Sequence, residues 1–320
     1  MKKNILTTFA FFALVVISSC EEDFDPRTKF KEQYILNCVI RGDNPVQIAT
    51  LSRSYTISGY DPYENNIDPF FNDADIRLWY KDDVYFLKDT TIARVDTSRY
   101  DDSIKCYYLE NFTPEANSVL EIRAVLPSGK TLTGVTRFPG DITFVTSEST
   151  LFIPPSDKDT ILFKWRGNNT GWNVFRFTIY YTKKENGIEV PYTKVVPIKY
   201  EFANNIYKPI YPIPSRTPAV AFPNEVMDIT MEQISAGDPD KENYRIKNAI
   251  IEIAVLDDHL SNYYSSTQGF LDKYTVRVDE SDYTNIEGGF GIFGSYFQKK
   301  LLATFAAGYV RSFGYLASFD

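Results

Sequence analysis

The chain has 320 residues, 42 of them acidic and 34 basic, for a formal net charge of -8 at neutral pH. That balance excludes a basic patch as the means of holding nucleic acid or an anionic lipid surface, so no nucleic-acid partner is expected. Three cysteines and a single histidine exclude a disulfide scaffold and starve any zinc site built from those residues.

At the start, Lys2 and Lys3 precede an apolar run from Ile5 to Ile17, and Ser18-Ser19 leads into Cys20. The run has the three-part form of a secretory signal and is too short to span a bilayer, which takes about 20 residues. Residues 1–19 are therefore read as a signal peptide. The small residues ahead of Cys20 resemble the lipobox of bacterial lipoproteins, in which the thiol is acylated and begins the mature chain. Cys20 is the expected lipidation site. Several acyl chains, palmitate among them, would hold the protein firmly to a membrane, because each buried CH2 is worth about 0.8 kcal/mol. The polar residues that follow make 20–33 a lipidated, flexible tether. No later stretch is apolar enough for a second span, so the body is expected to be aqueous.

Beyond the tether the pattern is β almost throughout, in keeping with 23 Tyr and 24 Phe against 3 Met. Tyr34 to Arg41 and Ile104 to Glu110 read as strands and carry Cys38 and Cys106. An exported protein permits one bridge between these two; burial as free thiols is the alternative. Ile76 to Tyr80 and Val84 to Leu87 form a predicted hairpin through Lys81-Asp82-Asp83. In Val119 to Leu126, Leu120, Ile122, Ala124 and Leu126 share one face, and Ser128-Gly129 turns the chain into Thr131 to Arg137. In Trp172 to Thr182, Phe175, Phe177, Ile179 and Tyr181 line one face. Asn186-Gly187 then predicts a tight hairpin to Ile188–Val196.

Two segments between strands have the composition of contact surfaces. Tyr60 to Asp75 mixes Tyr60, Asp61, Tyr63, Phe70 and Phe71 with further acids and amides, a combination suited to a glycan or a polar peptide. Those five residues are the candidate ligand or partner contact. The competing reading is a self-packed loop whose aromatics plug the end of a sandwich. Tyr207 to Pro223 is proline-rich and is predicted to be an extended connection that cannot form a central strand, either a rigid strap or a docking segment.

One short helix is predicted after Asp257-Asp258, with Leu260, Tyr263, Tyr264 and Thr267 on a stripe and Gly269 as a stop. The lone histidine, His259, falls at its start beside capping aspartates, where an exposed, non-catalytic role is expected. Asp238 to Asn243 superficially offers spaced oxygens for calcium. Asn243 and Ala249 stand where an EF-hand requires Gly and Glu, so a solvated turn is the reading. Gly288 to Gly294 lacks the Lys-Ser/Thr of a phosphate loop, and its glycines mark close backbone approach. No catalytic residue, metal ligand or cofactor is assigned.

The fold expected is mainly β, with two immunoglobulin-like or fibronectin-like β-sandwich units and one short helix. Residues 34–138 would form the N-terminal sandwich and 139–320 a C-terminal β-rich domain, with the seam at Pro139-Gly140.

YILNCVIRGD (Tyr34 to Asp43), the run from Leu51 to Trp79 and NIEGGFGIFGSY (Asn285 to Tyr296) together resemble a bacteroidete lipoprotein family known only as domain of unknown function 4249. The resemblance implies an outer-membrane-associated lipoprotein, often encoded near TonB-dependent receptors, with no established activity. Glu21-Glu22-Asp23 looks like the surface-export signals of that group. The function expected is therefore a non-enzymatic, lipid-anchored binding or accessory protein at the outer membrane, facing outward, with a periplasm-facing placement as the alternative, and serving a TonB-dependent receptor. A glycan-binding surface adhesin and a hydrolase built on carboxylates are the alternatives.

Overall fold

The computed structural model describes residues 31–55, 65, 67–98, 100–145, 152–154, 159–167, 171–203, 206–267 and 283–318. The first strands are β1 (Tyr34–Arg41), β2 (Gln47–Arg53), β3 (Asp75–Tyr80), β4 (Asp83–Phe86), β5 (Lys88–Ile92), β6 (Ile104–Leu109), β7 (Val119–Val125) and β8 (Thr131–Arg137). Alternation decides their faces. Leu36, Cys38 and Ile40 of β1 are buried, as are Leu120, Ile122 and Ala124 of β7, while the residues between them point away. The turns fall where the sequence puts them: Lys81 and Gly129 adopt the left-handed conformation, with φ of 56° and 80°.

The second half holds β9 (Ile142–Phe144), β10 (Phe152–Ile153), β11 (Thr160–Gly167), β12 (Asn173–Glu185), β13 (Ile188–Val195), β14 (Lys199–Ala203), β15 (Ile206–Ile210) and β16 (Ala219–Pro223). Helix α1 (Asn224–Glu232), β17 (Tyr244–Leu256), helix α2 (Asp258–Thr267), β18 (Ile286–Glu287), β19 (Phe290–Phe305) and helix α3 (Ala307–Ser312) follow. Asn186 and Gly187 take φ of 51° and 85°, and Glu185 pairs with Ile188 across them. This is the two-residue hairpin their sequence demands. β16 is an edge strand beside β11, as its flanking prolines require. Where one helix is expected there are three among the described residues. Helix α1 buries Val226, Met227, Thr230 and Met231 on one stripe, in a segment too short for its periodicity to stand out.

One long sheet runs β13-β12-β17-β19-β1-β2-β6-β5 and is shared by two sandwiches. Its β19-β1-β2-β6 part faces the sheet β18-β8-β7-β3-β4 over a core that includes Leu36, Leu51, Tyr107, Ile122 and Phe293. Its β12-β17-β19 part packs with β11, β16 and α1 over a second core around Phe163, Phe177, Phe222, Met227 and Ile251. Strand β19 belongs to both. Residues 290–296 pair in parallel with β1, and residues 296–303 pair antiparallel with β17. The seam expected at Pro139-Gly140 therefore does not isolate a first unit of residues 34–138. Ile286 of β18 and Phe293 of β19 enter its core from the far part of the chain.

Cys38 and Cys106 are both buried and free. Cys38 lies opposite Ala49, and Ala49 lies opposite Tyr107, so Tyr107 shares the face of Cys38. Its neighbour Cys106 points to the other face of the sheet, and a bridge between the two cysteines has no geometry available. Burial pushes the Cys38 thiol up to about 12 and also raises that of Cys106. Neither is expected to react with a thiol reagent at neutral pH in the native state, and both should react after denaturation. Thiol titration with and without guanidinium checks this, and a native-state reaction at Cys38 would contradict the packing described.

Candidate functional site

Of the residues singled out by sequence, Cys20, Tyr60, Asp61 and Tyr63 lie outside the described residues. Phe70 and Phe71 are described, and both are held at the edge of the first sandwich. Phe70 forms a bridge with Ser52, and the Phe71 N–H donates to the Leu51 carbonyl at 3.1 Å. Phe71 packs against the first core and meets the Tyr34 ring edge-on at 6.0 Å. The preceding turn is fixed by Asp68, which accepts the Phe70 N–H at 3.0 Å and pairs with Arg94 at 2.5 Å. Both members of this ion pair are largely buried, at 19% and 11% exposure. Phe71 also lines a hollow of about 280 Å³ with Tyr34, Arg53 and Leu126.

At the junction of the sandwiches stands Asp257, which is 5% exposed. It caps helix α2 by accepting the Leu260 N–H at 2.6 Å. The same carboxylate accepts the Thr136 hydroxyl from β8 and the Ser295 hydroxyl, at 2.8 Å, from β19. Burial raises its pKa above the ordinary 3.8, against the pull of these three donors. Its acceptor capacity is committed to structure. His259 is half-buried rather than exposed, with Nδ1 2.6 Å from the Tyr283 hydroxyl. It borders a cleft of about 270 Å³ with Arg137, Phe138 and Asp258.

The glycine-rich run next to this junction is a splice between strands. A Cβ on Gly289 would come within 2.5 Å of the Tyr34 carbonyl oxygen, and one on Gly291 within 2.0 Å of that of Leu36. These glycines let β19 lie against β1, as close backbone approach requires. The segment sits inside a longer match: the family model described as Domain of unknown function (DUF4249) covers residues 21–301. The chain belongs to that family. No curated protein matches it.

The most developed surface feature of this DUF4249 chain lies elsewhere, on the turn-proximal half of the β12–β13 hairpin. Tyr181 and Tyr192 are cross-strand partners, and their rings stack at 5.7 Å with 20° between planes. Tyr244 of β17 stands 6.4 Å from Tyr181. The Lys183 ammonium lies 5.1 Å from the centre of the Tyr244 ring and 3.2 Å from Asp238. Asp238 also accepts the Tyr244 hydroxyl at 2.9 Å and the Asp240 N–H at 3.0 Å. These donors hold its carboxyl below the ordinary range, while Tyr244 and Asp238 raise Lys183. Glu185 accepts the Tyr192 hydroxyl at 2.7 Å and raises its pKa.

A hollow of about 470 Å³ opens beside the stacked pair, on the face that also carries Lys183, Glu185 and Tyr244. A second, of about 650 Å³, is walled by Tyr180, Thr182, Pro191 and Thr193 and lies on the opposite face of the sheet. Residues 234–238, which end at the first residue of the segment read from sequence as a solvated turn, supply one rim of the first hollow. Tyr181 reads from sequence as a core-facing residue, yet one signal was available. Tyr181 and Tyr192 stand symmetrically about Asn186-Gly187, which makes them opposite in any two-residue hairpin.

Proposed function

We propose that this protein is a lipid-anchored, non-enzymatic binding or accessory component at the outer membrane, facing outward and working beside a TonB-dependent receptor. The observation that carries the reading is the leader, in which a basic start and an apolar run end at Ser18-Ser19-Cys20. Membership of the DUF4249 family over residues 21–301 is compatible with it. No described helix is long and apolar enough to cross a membrane. The tether from Cys20 to Gln33 reaches at most about 45 Å when extended, which would keep the body close to its anchor. Confinement of this kind raises effective concentration near a membrane partner without adding any contact. The β14–β15 hairpin, paired with neither main sheet, exposes Phe202, Ile206 and Tyr207 and supplies apolar surface for such a partner.

Cys20→Ala is expected to abolish fatty-acid labelling and to release the protein from the membrane fraction. Persistent labelling of the variant would overturn the anchor. Mild-detergent extraction tests the partner separately: a receptor that co-purifies supports the accessory role, and a solitary protein removes it.

A further inference from the structure

We infer that the tyrosine ridge of Tyr181 and Tyr192, with the hollow beside it, binds a neutral oligosaccharide. This rests on the reading of the protein as a binding component, and on neither its anchor nor its receptor.

Four observations carry it. Tyr192 is 38% exposed and stacks on Tyr181, which presents an aromatic surface of the kind on which the C–H face of a sugar ring lies. The hollow beside that surface, of about 470 Å³, is within the range of small-ligand sites. Donors and acceptors are mixed in the wall of that hollow, which holds Lys183, Asp238, Glu185 and Ser235. Sugar hydroxyls both give and accept hydrogen bonds and match such a mixture. Finally, Ser235 is 3% exposed, lines the first hollow, and has a buried hydroxyl oxygen with no hydrogen-bond partner. A buried hydroxyl left without a partner is costly, and a ligand hydroxyl would satisfy it.

Charge selects the neutral class. Lys183 is already neutralised by Asp238, and Glu185 is occupied by the Tyr192 hydroxyl, so no lone cation awaits an anionic sugar. The net charge of -8 repels polyanions at longer range. A peptide would favour the free edge of β13, but Pro191 stands in that strand and offers no N–H to an added one.

The test is calorimetric titration of the full-length protein in detergent with four neutral hexaoses: cellohexaose, maltohexaose, xylohexaose and mannohexaose. At least one should bind with a dissociation constant below about 1 mM. Tyr192→Ala should weaken that binding about tenfold or more, as truncation of an aromatic anchor does. Ser235→Ala should weaken it by a smaller factor while leaving the melting temperature unchanged or higher, because it removes an unpaired buried hydroxyl. If Tyr192→Ala is poorly folded, Tyr192→Leu keeps apolar packing and removes the aromatic face, with the same loss expected. The inference is overturned if none of the four hexaoses binds, or if binding survives both Tyr192 variants. Preference for polygalacturonate over every neutral hexaose would overturn it too, as would binding of a Gly-Ser-Tyr repeat peptide in their place. Failure of the anchor or receptor experiments leaves these titrations unaffected, so the two readings fail separately.

Discussion

Gly291→Ala should cost more than about 4 kcal/mol, a large share of the 5–15 kcal/mol by which a typical domain is stable. Gly291 has φ of +115°, and a Cβ there would lie 2.0, 2.7 and 2.9 Å from the carbonyl oxygen, carbonyl carbon and nitrogen of Leu36. Carbon atoms in contact need about 3.5 Å, and all three neighbours are backbone atoms of β1 that cannot rotate aside. Relief requires β19 to separate from β1, which opens the first core at Phe293 and pulls on the second through β17. Gly308→Ala is the control. Its Cβ would meet nothing within 4 Å, and it lies in helix α3, where alanine is favoured by up to about 1 kcal/mol. Urea denaturation of both variants checks the pair, and equal stability would refute the β1–β19 pairing.

Asp257→Ala should cost about 3 kcal/mol or more, since it removes a helix cap and leaves the Thr136, Ser295 and Leu260 donors buried without an acceptor. Asp257→Asn should recover most of the loss, because its amide oxygen still accepts the Leu260 N–H and the two hydroxyls can turn to accept from the NH2. The pH dependence separates the carboxyl from its shape. Burial raises the pKa of Asp257 in the folded protein above 3.8, so the folded chain binds this proton more readily than the unfolded one. The stability contributed by protonation is fully present below 3.8 and is lost as pH rises through the folded value. The advantage of wild type over Asp257→Asn should therefore be widest in acid and narrow toward neutrality. Melting temperatures measured between about pH 4 and 7 read this directly. A gap that does not change with pH, or widens toward neutrality, contradicts the assignment.

What the sequence made legible is what neighbouring residues decide. Asn186-Gly187 and Ser128-Gly129 announced their turns, and the alternation in β7 and β12 announced which side chains are buried. Asp257-Asp258 announced a helix start, and the cap is Asp257. The hydroxyls of Thr136 and Ser295, 121 and 38 residues away, were not legible, because nothing local encodes which distant strand arrives beside the cap. Gly288 to Gly294 showed that some backbone comes close without showing that it is β1. Helix α1 was hidden by its brevity and by the proline-rich segment before it. The tyrosine ridge was half-legible: hairpin symmetry pairs Tyr181 with Tyr192, but the irregularity at Tyr180/Tyr181 that re-aims the strand leaves no trace in composition.

The sharing of β19 has a consequence for the order in which the chain can fold. Asn37 of β1 accepts the N–H of Ile292, 255 residues later, at 3.1 Å. A chain emerging from its N-terminus commonly folds one unit after another as each is completed. Here β1 has only β2 beside it until residues 290–296 emerge, and β17 has only β12 until residues 296–303 follow. Both cores thus wait for one late strand, and closing so long a loop makes the final step slow. Until then the exposed edge of β1 can be captured by the β19 segment of another chain, so exchange of this strand between molecules is the misassembly to which the architecture is most exposed.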